Sequence, residues 1–327
     1  MRLSTRLPGN SKRYSIGHGS ARFWGRAGRT RRALSAFLTR TVWCLKRRKR
    51  LVERIEMQQY DDDLRQFEAQ GAPALPPAAE QGYVERDGAR IWYSTYGAGA
   101  PVVLLHGGLG HSGNWGYQLA PLLEAGRRVV LIDSRGHGRS TRDERPYSYE
   151  VMASDVLAVT DMLGLQKFAV VGWSDGACIG LVLASEAPTR VVGVFFFACN
   201  MDPSGATEFE ATPVIDRCFA RHRKDYAELS ATPDEFDNFV SAVSEMMSTQ
   251  PNYSAGDLAG IRVPVAIVQA EKDEFIKREH AQYLARSIPT ADLITLEHVS
   301  HFAPLQRPDV FNGAMLAFLD KVLPTGT

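Results

Sequence analysis

Apolar residues in this chain fall into short unbroken runs separated by longer mixed segments. Residues 102–105, 129–132, 168–171, 191–197 and 265–268 are wholly or almost wholly apolar. Runs this short, without alternation, suit strands buried on both faces, as in a parallel sheet. Residues 91–96, behind an Asp87-Gly88 turn, form another strand candidate, and 292–296 a weaker one. Helix-length segments lie between them, at 115–125, 149–163, 177–187, 279–288 and 308–322. The alternation predicts an α/β layered fold.

Two segments break the rhythm. Residues 203–257 are polar, charged and helix-like, with Phe, Met and Tyr interspersed. A helical insertion there is expected to form a cap over the ends of the strands, the edge where open α/β sheets bind ligands. Residues 71–80 include Pro73, Pro76 and Pro77. That density reads as a linker and sets the start of the folded domain near Gln81. The expected organisation is a leader over 1–56, a helix or linker over 57–80, a core over 81–202 and 258–327, and a cap over 203–257.

Composition adds one surprise. The 327 residues are 44% hydrophobic and 23% charged, which excludes collagen-like, disulfide-scaffold and wholly disordered chains. The net charge of +1 hides a split. Residues 1–52 hold 15 of the 38 Lys and Arg and none of the 37 Asp and Glu. The remaining 275 residues therefore carry 23 basic and 37 acidic side chains, a net of −14. The leader's most apolar part, 33–45, is broken by Arg40 and followed by Lys46-Arg47-Arg48-Lys49-Arg50. No stretch reaches the ~18 apolar residues of a membrane span, and no secretory signal is visible. Three readings remain for the leader: an organellar targeting peptide, a basic arm for membrane or nucleic acid, or sequence upstream of a start at Met57. It is expected to be largely disordered or loosely helical. Four cysteines without C-x-x-C spacing argue against metal binding and a disulfide framework, with a reducing cytoplasm the simplest context.

The strongest chemical signal is Gly172-Trp173-Ser174-Asp175-Gly176. It fits G-x-S-x-G between a strand and a helix candidate, the context of a nucleophile elbow. A serine hydroxyl needs a base, here a histidine held by a carboxylate. The expected chain order after such an elbow is Ser, acid, His. His222 falls in the expected cap and His280 in a helix candidate; His298 and His301 follow the last strand candidate. His301 is favoured, with His298 as the alternative or as a surface loop residue. Asp273 lies just past strand candidate 265–268. Glu271 and Glu274 are its rivals by composition, with solvated charge as their plain reading, and Asp202 is the structural alternative. The loop His106-Gly107-Gly108-Leu109-Gly110 ends a strand candidate and can aim a backbone N–H at an oxyanion. The donors would be the N–H groups of Gly108 and Asp175. Substrate is expected against Asp175, Trp173, His106 and Gly107.

With these motifs the sequence resembles the α/β-hydrolase fold family from about Gln81 to Leu323. The marks are His106-Gly107-Gly108, the run Asp133-Ser134-Arg135-Gly136-His137-Gly138-Arg139-Ser140, the elbow at Ser174, Ala270-Glu271-Lys272-Asp273 and Ser300-His301-Phe302. The resemblance implies an α/β-hydrolase fold: an eight-stranded, mostly parallel sheet flanked by helices, with a helical cap inserted after the sixth strand. It also implies Ser174, Asp273 and His301 as a triad, and a structural role for the run from Asp133 to Ser140, His137 included. Ala177 departs from the second glycine of many members. The elbow is similar to that of valacyclovir hydrolase-like enzymes, where the aspartate after the nucleophile helps bind a substrate amino group. Carried over, that would give Asp175 a preference for cationic aminoacyl substrates; its alternative role is the N–H alone. The His106-Gly107-Gly108 loop differs from that subgroup's, so the substrate is not carried over.

The leading expectation is a serine esterase acting on a small-molecule, ester-like substrate, without metal or cofactor and with no nucleic-acid partner for the core. A lactonase, an amidase or aminoacyl-ester hydrolase, a C–C hydrolase and a cofactor-free perhydrolase would share the triad and differ in the cap. The serine argues against the aspartate-nucleophile dehalogenases and epoxide hydrolases. A non-catalytic ligand receptor is the rival from another class.

Overall fold

A computed structural model describes residues 60–324 of the chain. The readings made of residues 1–56 lie outside the described residues. Eight strands form one sheet: β1 (Glu80–Arg86), β2 (Ala89–Tyr96), β3 (Ala100–Leu105), β4 (Arg127–Ile132), β5 (Phe168–Trp173), β6 (Val191–Phe197), β7 (Val265–Lys272) and β8 (Ala291–Ser300). Their order is β1-β2-β4-β3-β5-β6-β7-β8. β2 pairs antiparallel with both neighbours, and every pair from β4 to β8 is parallel.

The short apolar runs become the central strands because both faces of the sheet are covered. Val103, Leu105, Val130, Ile132 and Val170 enter one core, while Val102, Leu104, Val129, Leu131 and Val171 enter the other. Successive side chains point to opposite faces, so a strand between two helical layers must be apolar throughout. β1 escapes the sequence reading because it lies at the edge. Its residues are mostly exposed and polar, so no apolar run marks it.

Helices α1 (Arg65–Gln70), α2 (Gly116–Glu124), α3 (Tyr149–Met162) and α4 (Asp175–Glu186) precede β6. Helices α5 (Pro213–Leu229), α6 (Phe236–Thr249) and α7 (Ala255–Gly260) lie between β6 and β7, within the expected insertion. α5 starts where Thr212 accepts the Ile215 N–H and Pro213 supplies the first turn, the usual N-terminal pairing of cap and proline. Then follow α8 (Arg278–Ser287), α9 (Ala303–Gln306) and α10 (Pro308–Val322). None of the described helices is long and apolar enough to cross a membrane.

Packing begins upstream of the Gln81 boundary expected from the prolines. Leu64 and Phe67 are buried in the core. Gln306 Nε2 donates to the Asp62 carbonyl (2.7 Å), and Arg217 Nη1 of α5 donates to the Asp63 carbonyl (2.7 Å). The proline-rich stretch is packed too: a Cβ on Gly116 would lie 2.9 Å from the Pro73 carbonyl carbon. Residues 60–79 are therefore a strap across the body. Their Ala and Pro content hid this, because small residues make contact without an apolar pattern.

Candidate active site

The elbow between β5 and α4 holds Ser174 at φ 53°, ψ −125°. A non-glycine residue keeps such a backbone only where its surroundings enforce it. Here the Ser174 N–H donates to the Phe197 carbonyl of β6 (2.9 Å), and the Ser174 carbonyl accepts the Ala177 N–H (2.7 Å). The flanking glycines are required by space. A Cβ on Gly172 would lie 2.5 Å from the Ala177 nitrogen, and one on Gly176 2.7 Å from the His106 carbonyl oxygen. Ser174 thereby lines a cavity shared with His301, Gly107, Gly108 and Asp175.

His301 enters from the loop after β8, and Asp273 from the end of β7. His301 Nδ1 lies 3.0 Å from Asp273 Oδ1. That same oxygen accepts the N–H groups of Phe275 (3.1 Å) and Ile276 (3.0 Å), which fix the carboxylate. Trp173 Nε1 donates to the His301 carbonyl (2.8 Å), and the His301 N–H donates to Glu274 (2.9 Å). Phe275 meets the imidazole edge-on, with centroids 4.7 Å apart. The ring is thus held at its backbone, one nitrogen and one face. Trp173 lines the cavity while tying the elbow to the His301 loop.

The other candidates sort by position. Glu271 accepts the His298 N–H (2.6 Å), and the His298 ring is largely exposed away from the cavity. Glu274 reaches His301 only through its backbone N–H. His280 accepts the Met201 N–H (3.1 Å), and Asp202 accepts the Ser204 N–H at a short helical turn (3.0 Å). Both are structural.

The loop after β3 folds against the elbow. A Cβ on Gly107 would lie 3.1 Å from Ser174 Cβ, and one on Gly108 2.7 Å from Asp175 Oδ2. Both glycines line the cavity, but His106 does not. Its Nδ1 donates to the Gly107 carbonyl (2.8 Å), and Nε2 accepts the Ser134 N–H (3.0 Å). Burial lowers its pKa to about 4, so the ring is a neutral strut. The expectation that His106 contacts substrate is corrected: both ring nitrogens are spent inside the fold. His137 is equally internal, donating from Nδ1 to the Arg135 carbonyl (3.0 Å).

Asp175 is almost fully buried and lines the cavity. Oδ1 accepts the Tyr149 hydroxyl (2.8 Å), while Oδ2 has no hydrogen-bond partner. Burial lifts its pKa to about 6, against the opposing pull of the Tyr149 hydrogen bond. The sequence reading missed Tyr149 here. It lies 26 positions away, and only the packing of α3 against α4 brings the two together.

This eight-stranded, mostly parallel sheet with its flanking helices is the α/β-hydrolase fold. A family model described as alpha/beta hydrolase fold matches residues 100–245. The chain is 28% identical over 274 residues to the rhodomycin D methylesterase DauP of Streptomyces sp., covering 68% of this chain and 92% of that one. It is 28% identical over 267 residues to a 2-hydroxy-6-oxononadienedioate/2-hydroxy-6-oxononatrienedioate hydrolase of Pseudomonas putida, with 70% and 91% covered. Among solved structures it is similar to Est816, described as an N-acyl homoserine lactone degrading enzyme. That match has a TM-score of 0.59 and 28% identity, and covers 72% of this chain and all of the other. The chain has the α/β-hydrolase fold, and it is a hydrolase.

Proposed function

We propose that this chain is a serine hydrolase that cleaves a carboxylic ester, or a related acyl bond, of a small molecule through an acyl-enzyme on Ser174. The observation that carries this reading is the convergence of Ser174, the His301–Asp273 pair and the Gly107-Gly108 backbone on one cavity. Asp273 keeps the ring proton on Nδ1, which leaves Nε2 as the base. Ser174 Oγ attacks the acyl carbon as Nε2 takes its proton. The N–H groups of Gly108 and Asp175 receive the oxyanion, each such donor being worth about 10²–10³ in rate. The imidazolium then protonates the leaving alcohol, and water releases the acyl group by the same route. Helices α5 to α7 act as the cap that shapes access. The names of DauP and Est816, a methylesterase and a lactone-degrading enzyme, support an acyl substrate.

The test is a fluorophosphonate probe together with nitrophenol release from a short-chain ester. Labelling and a burst are expected in the wild type and lost in Ser174→Ala. A wild type that the probe does not label sinks the reading.

One observation favours a narrower substrate class. Asp175 Oδ2 is unpartnered at the cavity wall. Its carboxyl ionises above about pH 6 and would then attract an ammonium group. Asp175→Asn should selectively slow hydrolysis of aminoacyl esters relative to neutral esters. An equal loss on both classes removes this reading.

A further inference from the structure

The cap wall of the cavity carries a second buried polar group that the proposed mechanism does not use. α5 presents His222 to the cavity, with only 5% of the residue exposed. Nε2 lies 3.2 Å from Cys218 Sγ, one turn earlier on the same helix. Nδ1 has no hydrogen-bond partner. Phe67 of α1 meets the ring edge-on, with centroids 6.2 Å apart, and supports its orientation. Buried polar atoms in native proteins are nearly always satisfied by protein, water or ligand.

The proton positions follow from burial. Burial raises the Cys218 thiol above its ordinary range, so it keeps its proton. Burial also lowers His222 to about 3, so the ring is neutral at working pH. A thiol is a weak acceptor and a neutral imidazole nitrogen a better one. The S–H therefore points at Nε2. The single ring proton then sits on Nδ1, as a donor with nothing to donate to.

We infer that His222 determines specificity, with its Nδ1–H taking an oxygen acceptor on the part of the substrate that lies under the cap. The class this favours is an ester with a second carbonyl oxygen beyond the scissile group. Because the ring is uncharged, a ketone or amide oxygen serves as well as a carboxylate. The inference rests on the reading of Ser174 as the nucleophile of this cavity. Phe67 is a positioning residue that acts through the ring.

The experiment uses the full chain carrying Ser174→Ala, so that ligands bind without turnover. Calorimetric titration compares methyl hexanoate with its 3-oxo, 4-oxo and 5-oxo derivatives. At least one oxo ester is expected to bind about tenfold tighter than the plain ester, the scale of one hydrogen bond. Adding His222→Phe should remove that difference. His222→Asn, which offers an amide N–H near the Nδ1 position, should keep part of it. Equal binding of all four esters, or a preference that survives His222→Phe, overturns the inference. Nitrogen NMR of the histidine rings needs no substitution at 222: a proton on Nε2 instead of Nδ1 also overturns it. Turnover by the chain with Ser174 intact separates the two readings. Oxo-ester preference in binding without hydrolysis of any ester sinks the serine-hydrolase reading and leaves the role of His222 standing.

Discussion

Replacing Gly176 with alanine sets a methyl carbon against the end of β3. It would lie 2.7 Å from the His106 carbonyl oxygen and closer still to the Leu105 carbonyl. Both obstacles are backbone, so neither can rotate away. Leu105 is held on each side, paired with Ile132 of β4 and Gly172 of β5. The elbow must move instead, by a good fraction of an ångström. Overpacking of this kind costs about 1–3 kcal/mol. In a body of this size that lowers Tm by about 2–4 °C per kcal/mol. The same shift misplaces the Ser174 hydroxyl and the Asp175 N–H together. A displacement near 1 Å is enough for about a 10²-fold loss in rate. The assay pairs a thermal melt with the rate of fluorophosphonate labelling. Gly313→Ala is the internal control, since a Cβ there meets nothing within 4 Å inside α10. It should gain about 0.5–1 kcal/mol from helix propensity. A Gly176→Ala enzyme with unchanged Tm and unchanged labelling would refute the steric account of the elbow.

Three more expectations follow from the geometry. Asp175 has its pKa raised from 3.8 to about 6. The folded protein therefore holds a proton that the unfolded chain has already lost between those values, and stability falls by about 3 kcal/mol across that window. Asp175→Asn should be more stable than wild type at pH 7.5, with the advantage shrinking toward pH 4; urea midpoints at both pH values measure it, and a pH-independent difference contradicts the assignment. His301→Ala should cut labelling by about 10²–10⁴, whereas His298→Ala, exposed and paired with Glu271, should leave it unchanged; equal losses would reverse the choice between the two. Phe67→Ala removes a buried ring of the strap and should cost about 3–5 kcal/mol, read as a lower chemical-denaturation midpoint; a neutral result would show that the strap is not packed in solution.

Legibility of this protein in its sequence tracks burial. β3 to β7 are readable because their runs are apolar on both faces, and the elbow is readable because its glycines answer to fixed backbone neighbours. β1 and the strap are not, since one is a polar edge strand and the other meets the core through scattered residues such as Ala72, Leu75 and Ala78 between exposed prolines. The His301–Asp273 contact follows from chain order once the sheet is assumed. The Tyr149–Asp175 contact does not, because it depends on how two helices cross. His106 shows the opposite failure. A histidine beside two loop glycines looks available to substrate, yet the Ser134 N–H and the Gly107 carbonyl turn its ring inward. His222 and Cys218 are visible as a pair one helical turn apart, but the cavity that His222 borders forms only where α5 and α6 pack over the elbow.

The strap has a consequence for how the enzyme opens. Its carbonyls at Asp62 and Asp63 are gripped by Gln306 beside the histidine loop and by Arg217 of the cap helix α5. If α5 lifts to admit substrate, it must break or drag that grip, and its movement and strap release would then form a single event. Amide exchange at Phe67 to Gly71, outside the cavity lining, would then gauge how often the cavity is open.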